Sequence, residues 1–286
     1  MADRPANTTT TNLFSANGNS TANCYVINKA GTYTFPLIYG NAVKNNKIVT
    51  KAFNPGGTAS TEYFAAFRDY KNADITSPYI HKSGTVNSVK LVWTDAPNLI
   101  TGVKLSTASQ TMSVAGTAVR YITFTVPKEH LTPGNAVIAV RDSDGTIMWS
   151  WHIWVTKWNG SSKTVPASNG KSFDFATQIL GYCPARQATW KARNIKVRFK
   201  QVGSNKVSAT YSFSQTGSSL QYSEGNMPYY QFGRKDPLLM CNYVTNADGT
   251  STSNATEKIC YGMSKPAAKT LRVWKTGTGW VNYTYN

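Results

Sequence analysis

Side chains able to bind or react are concentrated at a few places in this 286-residue sequence. Tyr229, Tyr230, Phe232 and Arg234 lie in the stretch MPYYQFGRKDP, with Lys235 beside them. Aromatic planes next to a cationic donor suit an acidic glycan, and they suit single-stranded nucleic acid through stacking and phosphate contacts. Trp154, in the run IMWSWHIWV, is a further candidate for stacking on a sugar ring or for packing against a second domain. Lys196, Arg198 and Lys200 alternate with Ile195, Val197 and Phe199. That pattern predicts a strand with a cationic outer row and an apolar face that is buried. The same stretch adds Arg186, Lys191 and Arg193 without an acid, yet it carries no RRM, KH or OB signature. Nucleic acid is therefore the less favoured polyanion. Cys241 and Cys260 bracket a loop and are the best disulfide candidates, although four cysteines permit three connectivities.

Catalytic and metal-binding patterns are sparse. The three histidines are His81, His130 and His152, and no G-x-S-x-G segment accompanies them. Glycoside hydrolysis needs two facing carboxylates, and no acidic pair sits in a cleft-like motif. Asp142-Ser143-Asp144-Gly145 has a calcium-loop flavour, but the remaining oxygen ligands and the terminal Glu are missing, and a hairpin turn accounts for Asp and Gly there. The cysteine spacings fit no zinc module, and Cys24, in ANCYVI, reads as a buried thiol. His152 reads as a hydrogen-bonded strand histidine. No cofactor and no metal are expected.

The elements that would position these groups are strands. GNAVIAVRDSDGTIMWSWHIWV sets two apolar runs around the Asp142–Gly145 turn, a strong hairpin pattern. Trp149 and Trp151 share a face with Ile147, Ile153 and Val155 and are assigned to a core. Further strands are predicted at Cys24–Asn28, Thr32–Tyr39, Val86–Trp93, Gly102–Ser106, Thr111–Val114 and Arg120–Val126, with a long decorated connection over 40–84. Regular short strands with turns between them predict a sandwich. The expected class is mainly β. A flexible leader, 1–22, precedes a β-sandwich domain over 23–158. A linker, 159–170, leads to a second, incomplete domain over 171–286, β-rich with α+β as the alternative. Phe173–Leu180 reads as weakly helical or irregular. A second hairpin is predicted from Ile195 to Gln215 around Gly203-Ser204-Asn205.

The balance of 30 Lys+Arg against 13 Asp+Glu arises from few acids rather than many bases. After Trp158 there are 16 bases and 5 acids, so the second half carries most of the positive field, which favours anionic partners. No stretch has the ~18 uninterrupted apolar residues of a spanning helix, and Met1 leads into ADRPANTTTT without an apolar signal core. The strand-like ending TGTGWVNYTYN predicts that the chain is a fragment of something longer.

TANCYVINKAGTYTFPLIYGNA together with GNAVIAVRDSDGTIMWSWHIWV resembles the N-terminal module of fimbrillin-like surface proteins of Bacteroidales. MPYYQFGRKDP resembles the start of the Fibrobacter succinogenes major paralogous domain. The likeness spans 22–286, but the Trp-Arg-Leu-Pro segment of that later domain is absent. It implies an exported, outer-membrane-associated, lipoprotein-related protein of fimbrial or adhesive role, whose partners are other surface or fimbrial subunits. Thr21-Ala22-Asn23 lacks the small residue a lipoprotein cleavage site needs just before its Cys, so any membrane anchor is expected upstream of Met1. Three readings follow: a non-catalytic structural or adhesion protein, a carbohydrate-binding module, and a non-specific polyanion or nucleic-acid binder. The first is preferred.

Overall fold

The computed structural model describes residues 6–7, 9–55, 62–64, 66–96, 98–184, 186–222, 227–228 and 237. It also describes the strands Val244–Thr245, Ser251–Thr252, Thr270–Lys275 and Gly279–Thr284. The protein is mainly β and divides into two compact units, Met1–Tyr182 with Met227–Asn286, and Cys183–Asn226. This departs from the expected division at 158. The later chain returns to the first unit, where Thr245 pairs with Thr94, and Val273 with Phe64.

The first unit is a sandwich of two sheets. Its strands are β1 (Thr11–Asn12), β2 (Cys24–Ile27), β3 (Gly31–Pro36), β4 (Ser88–Thr94), β5 (Thr101–Leu105), β6 (Tyr121–Val126), β7 (Gly134–Arg141) and β8 (Ile147–Val155). One sheet runs β1-β3-β6-β5; the other runs β2-β8-β7-β4 and continues into Val244–Thr245 and Ser251–Thr252. β1 and β2 pair parallel to β3 and β8, and the remaining pairs within the two four-stranded sets are antiparallel. The predicted strands of this half match these ranges to within a few residues.

Period-two spacing decides which face is core. Phe35, Ile122 and Phe124 point inward from one sheet, and Tyr25, Ile138, Trp151 and Ile153 from the other. The Phe35 ring meets Trp151 edge-on at 5.1 Å and Tyr25 at 4.9 Å, so aromatic contacts cross the interface. Trp149 packs edge-on against Tyr39 at 4.7 Å. Register places Ala136 opposite Ile153 and Ile138 opposite Trp151, which alternates small and large side chains in the layer. At the β7–β8 turn, the Asp142 carboxylate accepts from the Asp144 and Thr146 amides at 3.1 and 2.8 Å, and Gly145 supplies φ +79. The turn thus uses Asp142 Oδ1 as the acceptor for two backbone amides.

Several expectations are corrected. Residues 11–22 are not a leader. Asn12 caps a short helix, Leu13–Ala16, whose Leu13 and Phe14 enter the core. An apolar pair inside a polar tract was sufficient to seat it. The connection over 40–84 contributes Phe53, Ile75, Tyr79 and Ile80 to the same core. The expected linker and the weakly helical segment after it instead form a hairpin, Ser162–Pro166 with Ser172–Ala176, exposed along its whole length.

The second unit is one long hairpin. Arg186–Trp190 pairs with Ser218–Tyr222, Arg193–Val197 pairs with Tyr211–Gln215, and a bridge joins Lys200 to Val207. The two ladders share one register, and the Lys200–Val207 bridge departs from it by one residue, which marks an irregularity before the turn. The turn falls where the sequence predicts it, with Gly203 at φ +74.

Candidate functional site

In the Arg193–Gln215 hairpin, register decides what each face presents. Ile195 pairs with Phe213 and Val197 with Tyr211, so these four residues share a face. Phe199 meets Tyr211 edge-on at 5.9 Å and extends that face toward the turn. Asn194 pairs with Ser214 and Lys196 with Ser212 on the opposite face, and strand alternation adds Arg198 and Lys200 to it. The cationic row is therefore present as predicted, and all three of its members are exposed.

The apolar face is not buried, which corrects the expectation for Ile195, Val197 and Phe199. Phe199 is 65% exposed, Phe213 58% and Tyr211 50%. A two-stranded ribbon has no second layer of its own to cover one of its faces. Val165 and Phe173, paired in the 162–176 hairpin, and Phe175 beside them are exposed in the same way.

Local hydrogen bonds order the cationic face. Arg198 Nε donates to Thr210 Oγ1 at 2.7 Å, and Ser214 Oγ donates to Asn194 Oδ1 at 3.0 Å. At the tip, Lys200, Gln201, Ser204 and Asn205 line a concavity of about 510 Å³. Charge in this unit is one-sided. Residues 186–222 contain seven Lys/Arg and no Asp or Glu.

Trp154 is corrected as a ligand-stacking residue. It is fully buried on the outer face of β8, where its Nε1 donates to the Tyr182 carbonyl at 3.2 Å and its ring stacks on Trp158 at 5.5 Å. Trp93, Val137, Ala139 and His152 on the same outer face are buried as well, while Val26 and Lys90 toward its edges are exposed. Segment 177–182 is fastened there by a polar chain. Asn135 Nδ2 donates to Asp95 Oδ2 at 2.8 Å and to the Gly181 carbonyl at 2.9 Å. Both amide protons are thus used, so the Asn135 oxygen must accept from His152 Nε2, 2.8 Å away. His152 is consequently the Nε2–H tautomer, and burial pushes its pKa down to about 3. Gly181 has φ +80, and a Cβ there would meet Pro228 at 2.7 Å, so both conformation and space require glycine. No motif in the sequence marks Asn135 or Asp95; only β7 register against β4 and β8 brings them to His152.

A smaller cavity, about 280 Å³, is lined by Leu37, His81, Val86 and Arg120 among others. Arg120 donates from Nε to the Ser106 carbonyl and from Nη1 to the Val86 carbonyl, both at 2.8 Å. It therefore braces two loops more than it faces a ligand. Cys24 is half-buried, and desolvation of its thiol pushes its pKa up. Tyr229, Tyr230, Phe232, Arg234, Lys235, Cys241 and Cys260 lie outside the described residues, so the aromatic–basic cluster and the disulfide keep the standing the sequence gives them. Comparison with protein-family models, characterised proteins and solved structures yields no match.

Proposed function

We propose that this chain is a non-catalytic cell-surface protein of structural or adhesive role, fimbrillin-like in kind, whose exposed hairpins are its contacts with other surface subunits. The uncovered apolar face of the Arg193–Gln215 hairpin carries this reading. Ile195, Phe199, Tyr211 and Phe213 gather there on a ribbon whose register is already satisfied. A contiguous exposed apolar patch of this kind marks an interaction surface more often than a solvated one. Aromatic residues at such a face supply large contact area at small entropic loss. The resemblance of the residue 21–42 and 134–155 segments to fimbrillin-like modules supports the same role and a location at the extracellular or outer-membrane surface.

A photoreactive phenylalanine analogue at position 199 or 213, carried by the protein on its source cells, tests this. The expected result is a specific adduct with another surface subunit, with none from the same analogue at position 90 of β4. Failure to form any adduct at 199 or 213, with the protein protected from surface labelling on intact cells, would overturn the reading.

A further inference from the structure

We propose that the cationic face of the Arg193–Gln215 hairpin binds a linear sulfated or carboxylated polysaccharide. This goes beyond the subunit contact proposed above, because it uses the opposite face of the ribbon and needs no partner on the apolar one.

Four observations lead to it. First, the field is uncompensated: seven cations and no acids over residues 186–222. None of the residues across the ladder from the row is a carboxylate: Lys196 faces Ser212, Arg198 bonds Thr210, and Lys200 bridges to Val207. Second, the row is periodic. Alternate residues of a strand stand about 6.6 Å apart, so Lys196, Arg198 and Lys200 form a line of charge about 13 Å long. A linear polyanion can match such a line by displacing its counterions. Third, hydroxyls and an amide accompany the charges. Ser212, Ser214 and Asn194 share the face, and they can exchange hydrogen bonds with sugar hydroxyls. The row runs toward the tip concavity, where Lys200 meets Gln201, Ser204 and Asn205, polar groups that can seat an acidic substituent.

The fourth observation selects the polymer. Single-stranded nucleic acid binding combines cations with aromatic platforms on which bases stack. Here Phe199, Tyr211 and Phe213 belong to the opposite face, so the cationic side offers charge and hydrogen bonding without a stacking surface. A charged saccharide asks for that combination.

The experiment is titration of the full chain with heparin, with duplex DNA and uncharged dextran as comparison polymers, at low and near-physiological salt. Heparin should bind and dextran should not. With about three charge contacts, affinity should fall roughly 20- to 40-fold for a fourfold rise in salt. Lys196→Glu, Arg198→Glu and Lys200→Glu together should weaken heparin binding at least about tenfold and flatten its salt dependence. The milder triple change of these residues to Gln, on exposed positions that leave the ladder intact, should shift affinity in the same direction by less. Phe199→Ser with Phe213→Ser should leave it unchanged. No binding of heparin, or binding indifferent to both triple variants, overturns the proposal. So does duplex DNA bound as tightly as heparin and lost through the same changes, which would make the row an undiscriminating polyanion site. Crosslinking at position 199 reports on the other face, so the two proposals fail separately.

Discussion

The β7–β8 hairpin and the 186–222 hairpin begin from the same local instruction and end in opposite environments. Both set two strands around a short turn containing glycine with positive φ. In β7 the residues Ala136 to Val140 are apolar on both faces, and every one of them is buried. In Arg193–Val197 only one face is apolar, and even that face is solvated. The difference lies in composition on the second face. A hairpin apolar on both sides must sit between two layers, as parallel buried strands do. One with Lys, Arg and Ser on a side can be covered once at most. The first hairpin therefore builds the fold, and the second is available for contacts.

The sharpest way to break that contrast is truncation on each hairpin. Trp151→Ala should cost about 3–5 kcal/mol in chemical denaturation, from lost burial and an incompletely collapsed cavity. Phe213→Ala, at a 58% exposed position, should cost under about 1 kcal/mol. Equal losses at the two sites would mean that the second hairpin's apolar face is covered in the isolated protein.

Acid titration sharpens the contrast at an intermediate scale. His152 is held near 3 in the folded state against an ordinary 6.5, so below pH 6.5 the unfolded chain binds the extra proton. Its contribution to stability is complete above that value and is lost progressively as pH falls toward 3. The expected loss is on the order of 2–3 kcal/mol by about pH 4, and His152→Gln should flatten the curve. An unchanged pH profile in that variant would refute a neutral, buried imidazole as the cause.

The smallest effect belongs to the tip. Val202 is 98% exposed, and limited proteolysis should cut first between 200 and 206. The nicked protein should unfold within about 0.5 kcal/mol of the intact one. A large drop in its denaturation midpoint would show that the ribbon supports the sandwich after all.

Much of this was legible from the residues alone. The strands of the sandwich, the Trp149 and Trp151 core positions and the turns at Gly145 and Gly203 follow from period-two spacing and turn chemistry, which are local. Two of the readings that failed share one cause: Leu13 and Phe14 in a polar tract and the depth of Trp154 depend on what packs against them from elsewhere in the chain. Trp154 could be assigned to the outer face of β8 but not to burial there, because the covering segment, 177–182, carries no pattern that points to it.

By itself the sequence determined that this is a β protein, where its strands alternate, which residues form the Lys196–Arg198–Lys200 row, and that the second half carries the positive field. Those properties are set within a few residues, by side-chain volume, backbone propensity and charge. Only the tertiary structure decided that Trp154 and His152 on the outer face of the second sheet are covered, that Asn135 links Asp95, Gly181 and His152, and that the ribbon keeps its apolar face in solvent. Each of these requires knowing which distant segment arrives at a surface, and burial is a property of the pair that meets, not of either strand.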